Sequence, residues 1–273
     1  MKIQVGHSPD ADDAFMFFAL AHNRIDTGDL EFEHVLRDIE TLNRWALEKR
    51  LEVTALSVHA YAYTAKDYAL LPHGASIGDR YGPLVVSQRD MSIADLKHSR
   101  IAIPGELTTA FLALQLALGD FQYDVVPFDQ IFDTVQRGSV AAGLIIHEGQ
   151  LTFAQHGFKK VLDLGEWWYE KTSLPLPLGV NGIRKDLGQQ LCERVSRCLR
   201  ESIDYALEHR KEALQYAMKY SRDTAEPLAD QFVGMYVNHF TQNFGDLGRE
   251  AVRRLLQEGH AAGIIPPVTL EFV

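Results

Sequence analysis

The chain has 273 residues, 46% of them hydrophobic and 23% charged, with a formal charge of −10. That length allows one large domain or two small ones, the composition is that of a globular protein, and the acidic balance argues against a nucleic-acid partner. No apolar stretch reaches the ~18 residues of a membrane span, and the N-terminus lacks the basic segment and long apolar core of a secretory signal, so a cytoplasmic location is expected.

Ile3 to Gly6 reads as a first strand, followed by the loop Ser8-Pro9-Asp10-Ala11-Asp12-Asp13 and an apolar helix from Ala14 to Ala21. Leu30 to Leu36 alternates polar and apolar residues, the pattern of a half-exposed strand. Asp38 to Lys49 reads as a helix with Ile39, Leu42, Trp45 and Ala46 on one face. Val53 to Ser57 is a short strand, Val58 to Ala65 a helix, and Leu84 to Ser87 another strand. Strands over 100–104, 124–127 and 141–146 then alternate with helices over 110–118 and 129–137. Val161 to Leu164 is a further strand, and the prolines of Pro175-Leu176-Pro177-Leu178-Gly179 keep that segment extended. The rest is helical, over 187–208, 210–220, 225–240 and 247–261. Cys192 and Cys198 stand six apart in one helical pattern, about 9 Å of rise, too far for a disulfide.

Alternating strands and helices followed by a helical tail predict an α/β protein with mostly parallel sheets. The extended stretches near 84–87 and 175–183 read as crossings between two lobes. Lobe one is then 1–87 with 182–273, lobe two is 88–181, and a ligand cleft lies between them.

Four strand ends are candidates to face that cleft, because open α/β sheets hold ligands at the carboxyl ends of their strands. The first is the acidic loop with Ser8, Asp10 and Asp13, which is rich in helix-capping residues but carries more acids than a cap needs. At the second, Ser57 ends a strand and caps a helix bearing His59 and Tyr63 on one face. The third is Pro104-Gly105-Glu106-Leu107-Thr108-Thr109, where glycine lets backbone approach a ligand and a helix start favours a carboxylate. The fourth is Ile145-Ile146-His147-Glu148-Gly149, where an imidazole that exchanges protons near neutral pH stands at a strand end. Each has a plain structural alternative: a cap, a packed histidine, a surface loop. Trp167-Trp168-Tyr169 suits either an aromatic pocket or a packed corner. No P-loop, dinucleotide turn, nucleophile elbow or H-E-x-x-H signature is present, and no metal site is expected.

Taken together, several segments resemble the menaquinone-biosynthesis family of the futalosine route, which is built on the fold of bacterial solute-binding proteins. They are Ser8-Pro9 through Phe15, Ser57 through Tyr63, Gly82 through Val86, Pro104-Gly105 with Leu107 through Ala110, Ala142 through Glu148, and Leu174 through Gly179. The resemblance implies a two-lobed, type II periplasmic-binding-protein-like fold. It also implies conversion of cyclic dehypoxanthinyl futalosine into 1,4-dihydroxy-6-naphthoate without metal or organic cofactor. His147 would be the catalytic base. Thr108 and Thr109 would bind the polar end of a carboxylate substrate, with Ser8, Ser57 and His59 in the same cleft; Glu148 or an acid of the first loop would fix the His147 tautomer. Many members carry Cys-Pro-Asn-Asp-Thr after Ser-Pro, where this chain has Asp10-Ala11-Asp12-Asp13-Ala14. That departure leaves open a sister activity such as chorismate dehydratase, and the architecture also suits a receptor that binds a small anion without reacting it. The implied partner is a small molecule, with neither nucleic acid nor membrane; a homodimer stays open.

Overall fold

The computed structural model describes residues 1–221 and 225–273. Strand β1 (Lys2–His7) alternates: Ile3 and Val5 on one face are fully buried, while Lys2 on the other is exposed and Gln4 part-buried. Helices α1 (Ala11–Met16) and α2 (Phe18–Ala21) follow, then β2 (Glu31–Leu36), α3 (Ile39–Leu47), β3 (Val53–Ser57), α4 (Val58–Thr64), β4 (Tyr68–Leu70) and β5 (Ser76–Gly78). The middle of the chain holds β6 (Leu84–Ser87), α5 (Ile93–Lys97), β7 (Arg100–Ile103), α6 (Thr109–Leu118), β8 (Gln122–Val125), α7 (Ile131–Gln136), β9 (Ala142–Ile145), α8 (Gly149–Thr152), β10 (Lys159–Asp163) and α9 (Leu164–Thr172). Strand β11 (Leu176–Arg184) leads to α10 (Gln189–Glu208), α11 (Arg210–Ala217), α12 (Glu226–Tyr236), α13 (His239–Gln242) and α14 (Gly245–Ala261).

Two sheets form. One runs β2-β1-β3-β11-β4, with β5 also paired to β11; the other runs β10-β6-β9-β7-β8. Pairing is parallel from β2 through β1 to β3, and from β9 through β7 to β8. The later strands β6, β10 and β11 pair antiparallel to their neighbours, so the sheets are mixed. Helix α10 buries Cys192, Val195, Cys198, Leu199, Ser202, Ile203 and Ala206 against the first sheet's helices and strands. That is the i, i+3, i+4 stripe of an amphipathic helix, and both cysteines on it are free thiols.

The pairing moves one crossing. Leu84–Ser87 was expected to leave lobe one, but its partners are β9 and β10, so it belongs to the second sheet. The chain changes sheets upstream, between Gly78 and Leu84, and returns between Asp163 and Leu176. These two connections touch backbone to backbone. The Leu164 N–H donates to the Pro83 carbonyl at 3.0 Å, and a Cβ on Gly165 would lie 2.1 Å from the Tyr81 carbonyl. Only glycine fits such an approach.

Other expectations shift by local physics. The first helix starts at Ala11 and breaks at Phe17, and the expected strand at 124–127 is registered two residues earlier. Leu164 opens a helix rather than ending a strand, because Asp163 caps it by accepting from the Gly165 and Glu166 N–H groups. Trp167-Trp168-Tyr169 therefore lies on α9. Trp168 is fully buried and donates to the Pro175 carbonyl, which makes it a packed corner. Strands β4 and β5 have three residues each, too few to show a period in sequence.

Candidate active site

Four strand ends converge on one cleft, the kind of concave site that holds a small-molecule ligand. The loop after β1 contributes Ser8, Asp10, Asp12 and Asp13, and β3 ends there with Ser57. The start of α6 contributes Thr108, Thr109 and Ala110, and the end of β9 contributes Ile146. Ser76, Leu178, Gly179 and Asn181 come from β5 and β11, and Phe232 and Tyr236 from α12. Among the described residues, no Lys, Arg or His lines this cavity. An anionic guest must therefore be held by dipoles rather than by countercharge.

The Thr pair is built for backbone recognition. Thr108 caps α6: its hydroxyl donates to the Gly105 carbonyl at 2.9 Å and accepts from the Phe111 N–H at 3.2 Å. The Thr109 hydroxyl donates to the Leu178 carbonyl at 2.6 Å and accepts from the His59 N–H at 3.3 Å. Both hydroxyl protons are thus committed within the protein. What α6 offers a ligand is its first-turn N–H groups, which no helical carbonyl can satisfy. The glycine before them serves differently from expectation. A Cβ on Gly105 would sit 2.3 Å from the Glu40 carboxylate, which accepts the Leu107 N–H at 3.0 Å. Gly105 makes room for a protein carboxylate that shapes the loop, not for the ligand itself.

Ser57 does not cap α4. Its hydroxyl oxygen accepts from Asn43 Nδ2, and its N–H donates to Asn43 Oδ1, both at 2.9 Å. Its hydroxyl proton has no partner in that clamp and can be donated to a ligand. His59 is almost fully buried and stands outside the cavity lining. Its Nδ1 lies 3.2 Å from the Thr108 carbonyl, and burial holds its pKa below the ordinary value. His59 therefore braces the Thr pair from outside the cavity lining.

The acidic loop is internally organised. Ser8 donates its hydroxyl to Asp10 at 2.7 Å and its N–H to Asp13 at 2.6 Å, so Asp10 occupies the cap position of α1 without capping it. Burial, then the carboxylates of Asp13, Asp10 and Glu148, push the Asp12 carboxyl well above the usual range. Asp13 is pushed up to about 7 by burial, against the Ser8 N–H that favours its charged form. Both keep part of their surface toward the cleft while the protein excludes water from the rest. The pair thus offers one carboxyl raised well above the usual range and another pushed up to about 7, the kind of inequality acid–base chemistry uses.

His147 stands one residue beyond Ile146, just outside the cavity wall, and is half-buried. Its ring meets Phe128 and Phe132 edge-on, each at 5.8 Å between centroids. The Gly149 N–H donates to His147 Nδ1 at 3.0 Å. Nδ1 is therefore unprotonated, and the neutral ring carries its hydrogen on Nε2. A backbone amide holds Nδ1. Glu148 is buried and acts electrostatically on Asp12.

Three contributors were not singled out from sequence. Asn43 lies on the buried face of α3, where a fully buried amide within an apolar stripe was a readable signal. Phe232 and Tyr236 come from the helical tail, where nothing in the local pattern points to the cleft.

A model of the family described as menaquinone biosynthesis matches residues 3–261. A protein of Thermus thermophilus named 1,4-dihydroxy-6-naphtoate synthase is 42% identical, over 97% of this chain and 96% of that protein. One of the same name from Streptomyces coelicolor is 35% identical, over 97% and 95%. A crystal structure of an Archaeoglobus fulgidus protein superposes with a TM-score of 0.93 at 50% identity, covering 97% of this chain and 98% of that one. The alkanesulfonate-binding protein of Xanthomonas axonopodis pv. citri, bound to MOPS, gives a TM-score of 0.75 at 12% identity over 97% and 94%. The last likeness establishes the fold alone: a periplasmic-binding-protein-like architecture of two lobes.

Proposed function

The chain belongs to the menaquinone-biosynthesis family and acts in that pathway as an enzyme; on that premise we propose that it converts cyclic dehypoxanthinyl futalosine into 1,4-dihydroxy-6-naphthoate in the cleft between its sheets. The observation that carries this reading is the polarity of a single cavity. Its wall combines the start of α6 and the Ser57 hydroxyl with the carboxyls of Asp10, Asp12 and Asp13. The substrate's carboxylate is drawn to the helix start and repelled by the acids, while the walls of Ile39, Ala55, Ile146, Leu178 and Val180 cover its ring system. With the carboxylate at the helix start, the acids are left to meet the sugar-derived hydroxyls.

Ring opening with loss of the sugar fragment requires removal of a hydroxyl proton and expulsion of a leaving group. A positioned base supplies ~10²–10⁴ in rate. His147 takes the proton; to do so at Nδ1 its ring must release the Gly149 N–H. Asp12, whose carboxyl burial raises well above the usual range, donates to the leaving oxygen. A second reading has a specific observation behind it: Asp13 lines the cavity and titrates near neutrality, and so is a base already in place.

Turnover of cyclic dehypoxanthinyl futalosine, followed by mass, tests both, with chorismate as the control substrate. His147→Asn is expected to lower kcat by about 10²-fold or more while product still binds. Activity of that variant within a few-fold of wild type, together with a collapse in Asp13→Asn, would transfer the base role to Asp13. Turnover of chorismate alone would reassign the chain to the sister activity.

A further inference from the structure

We propose that Tyr236 and Gln150 are positioning residues, which hold the turn carrying His147 and Glu148 against the acidic loop. The proposal rests on the reading of this cleft as the active site. Tyr236 lies at the end of α12, in the helical tail, and its ring lines the cavity. Gln150 lies in α8, which follows β9 of the second sheet. The Tyr236 hydroxyl donates to Gln150 Oε1 at 2.7 Å, and both residues are more than nine-tenths buried. The contact therefore ties the C-terminal helices to the second sheet at the cleft itself.

The tie continues into the turn. The Gln150 N–H donates to the His147 carbonyl at 2.9 Å, and the Leu151 N–H to the Glu148 carbonyl at 2.9 Å. Tyr236 is in turn braced from behind. Tyr81 packs edge-on against it at 5.9 Å and hydrogen-bonds the Met235 carbonyl, and Phe232 covers it at 5.1 Å. The Gln150 amide is unusual for a side chain that serves packing alone: its Nε2 is buried and has no hydrogen-bond partner among the described residues. Buried donors are nearly always paired, and leaving one unpaired is costly. A glutamine whose oxygen binds the tyrosine hydroxyl while its amide N–H groups stay buried and without a partner among the described residues is held there by more than packing. No hydrophobic residue could both fill that space and bind the tyrosine hydroxyl.

Tyr236→Phe and Gln150→Leu, made singly and together, test this in two ways. Tyr236→Phe removes one hydroxyl and keeps the ring, so folding is preserved and melting checks it. Hydrogen exchange on the free protein needs no substrate. In Tyr236→Phe the amides of residues 150–153 should exchange about tenfold faster or more, with those of β3 and α14 unchanged. In turnover, each single variant should lose about tenfold in kcat with KM within about threefold, and the double variant should fall no further, because both remove one interaction. Unchanged exchange over 150–153 overturns the proposal, and so do additive losses. Failure of the wild-type protein to turn over cyclic dehypoxanthinyl futalosine overturns the substrate assignment instead, and the exchange result still decides the role of the turn.

Discussion

Asp13 shows how one residue joins stability to function. Its carboxyl is pushed from the ordinary 3.8 up to about 7, chiefly by burial. A raised acid means that the folded state binds more protons than the unfolded chain between those two values, so stability falls as pH rises through that window and the loss is complete above about 7. Asp13→Asn keeps an oxygen for the Ser8 N–H and removes the buried charge. It is expected to stabilise the protein by about 1–2 kcal/mol at pH 8 and by nothing measurable near pH 4; urea denaturation at the two pH values checks this. The acids of this loop were visible in the sequence, but their inequality was not. Asp10 bonds the Ser8 hydroxyl, Asp13 the Ser8 N–H, and Asp12 is surrounded by three other carboxylates. Those differences come from where each side chain points, which a run of letters does not record. For the same reason the backbone amide that holds His147 Nδ1 was not foreseen.

At the scale of elements, the β7–α6 connection carries the most information. Its Gly-Glu-Leu-Thr-Thr sequence announced a turn and a helix start, and both exist. The reason for the glycine lay 65 residues upstream, in the Glu40 carboxylate that holds the Leu107 N–H. Gly105→Ala should expel that carboxylate, free the loop, weaken binding of 1,4-dihydroxy-6-naphthoate about tenfold, and cost about 1–3 kcal/mol of stability. Calorimetry of product binding and thermal melting measure the two effects, and unchanged binding would mean that the loop geometry does not depend on Glu40. Longer elements were legible because periodicity repeats often enough to be read, as in the buried stripe of α10. Three-residue strands such as β4 and β5 were not, since they exist only through their pairing with β11.

At the scale of the whole molecule, the two connections between the sheets pass within backbone contact at Tyr81-Gly82 and Gly165. A methyl group on Gly165 would meet the Tyr81 backbone, which no rotamer change relieves. Gly165→Ala is therefore expected to cost about 3 kcal/mol, at the upper end of overpacking effects, and a urea denaturation midpoint near that of wild type would show that the connections move apart easily. The sequence by itself determined the α/β class, the two-lobed fold and the family, and it named four strand ends as candidates for a site. These follow from local apolar periodicity and from short motifs in order along the chain. Only the tertiary structure decided which residues face the cavity, that Leu84–Ser87 joins the second sheet, and that the helical tail returns Tyr236 to the cleft. Those outcomes depend on strand pairing and on contacts between segments far apart in sequence, and no local pattern encodes the partner of a distant side chain.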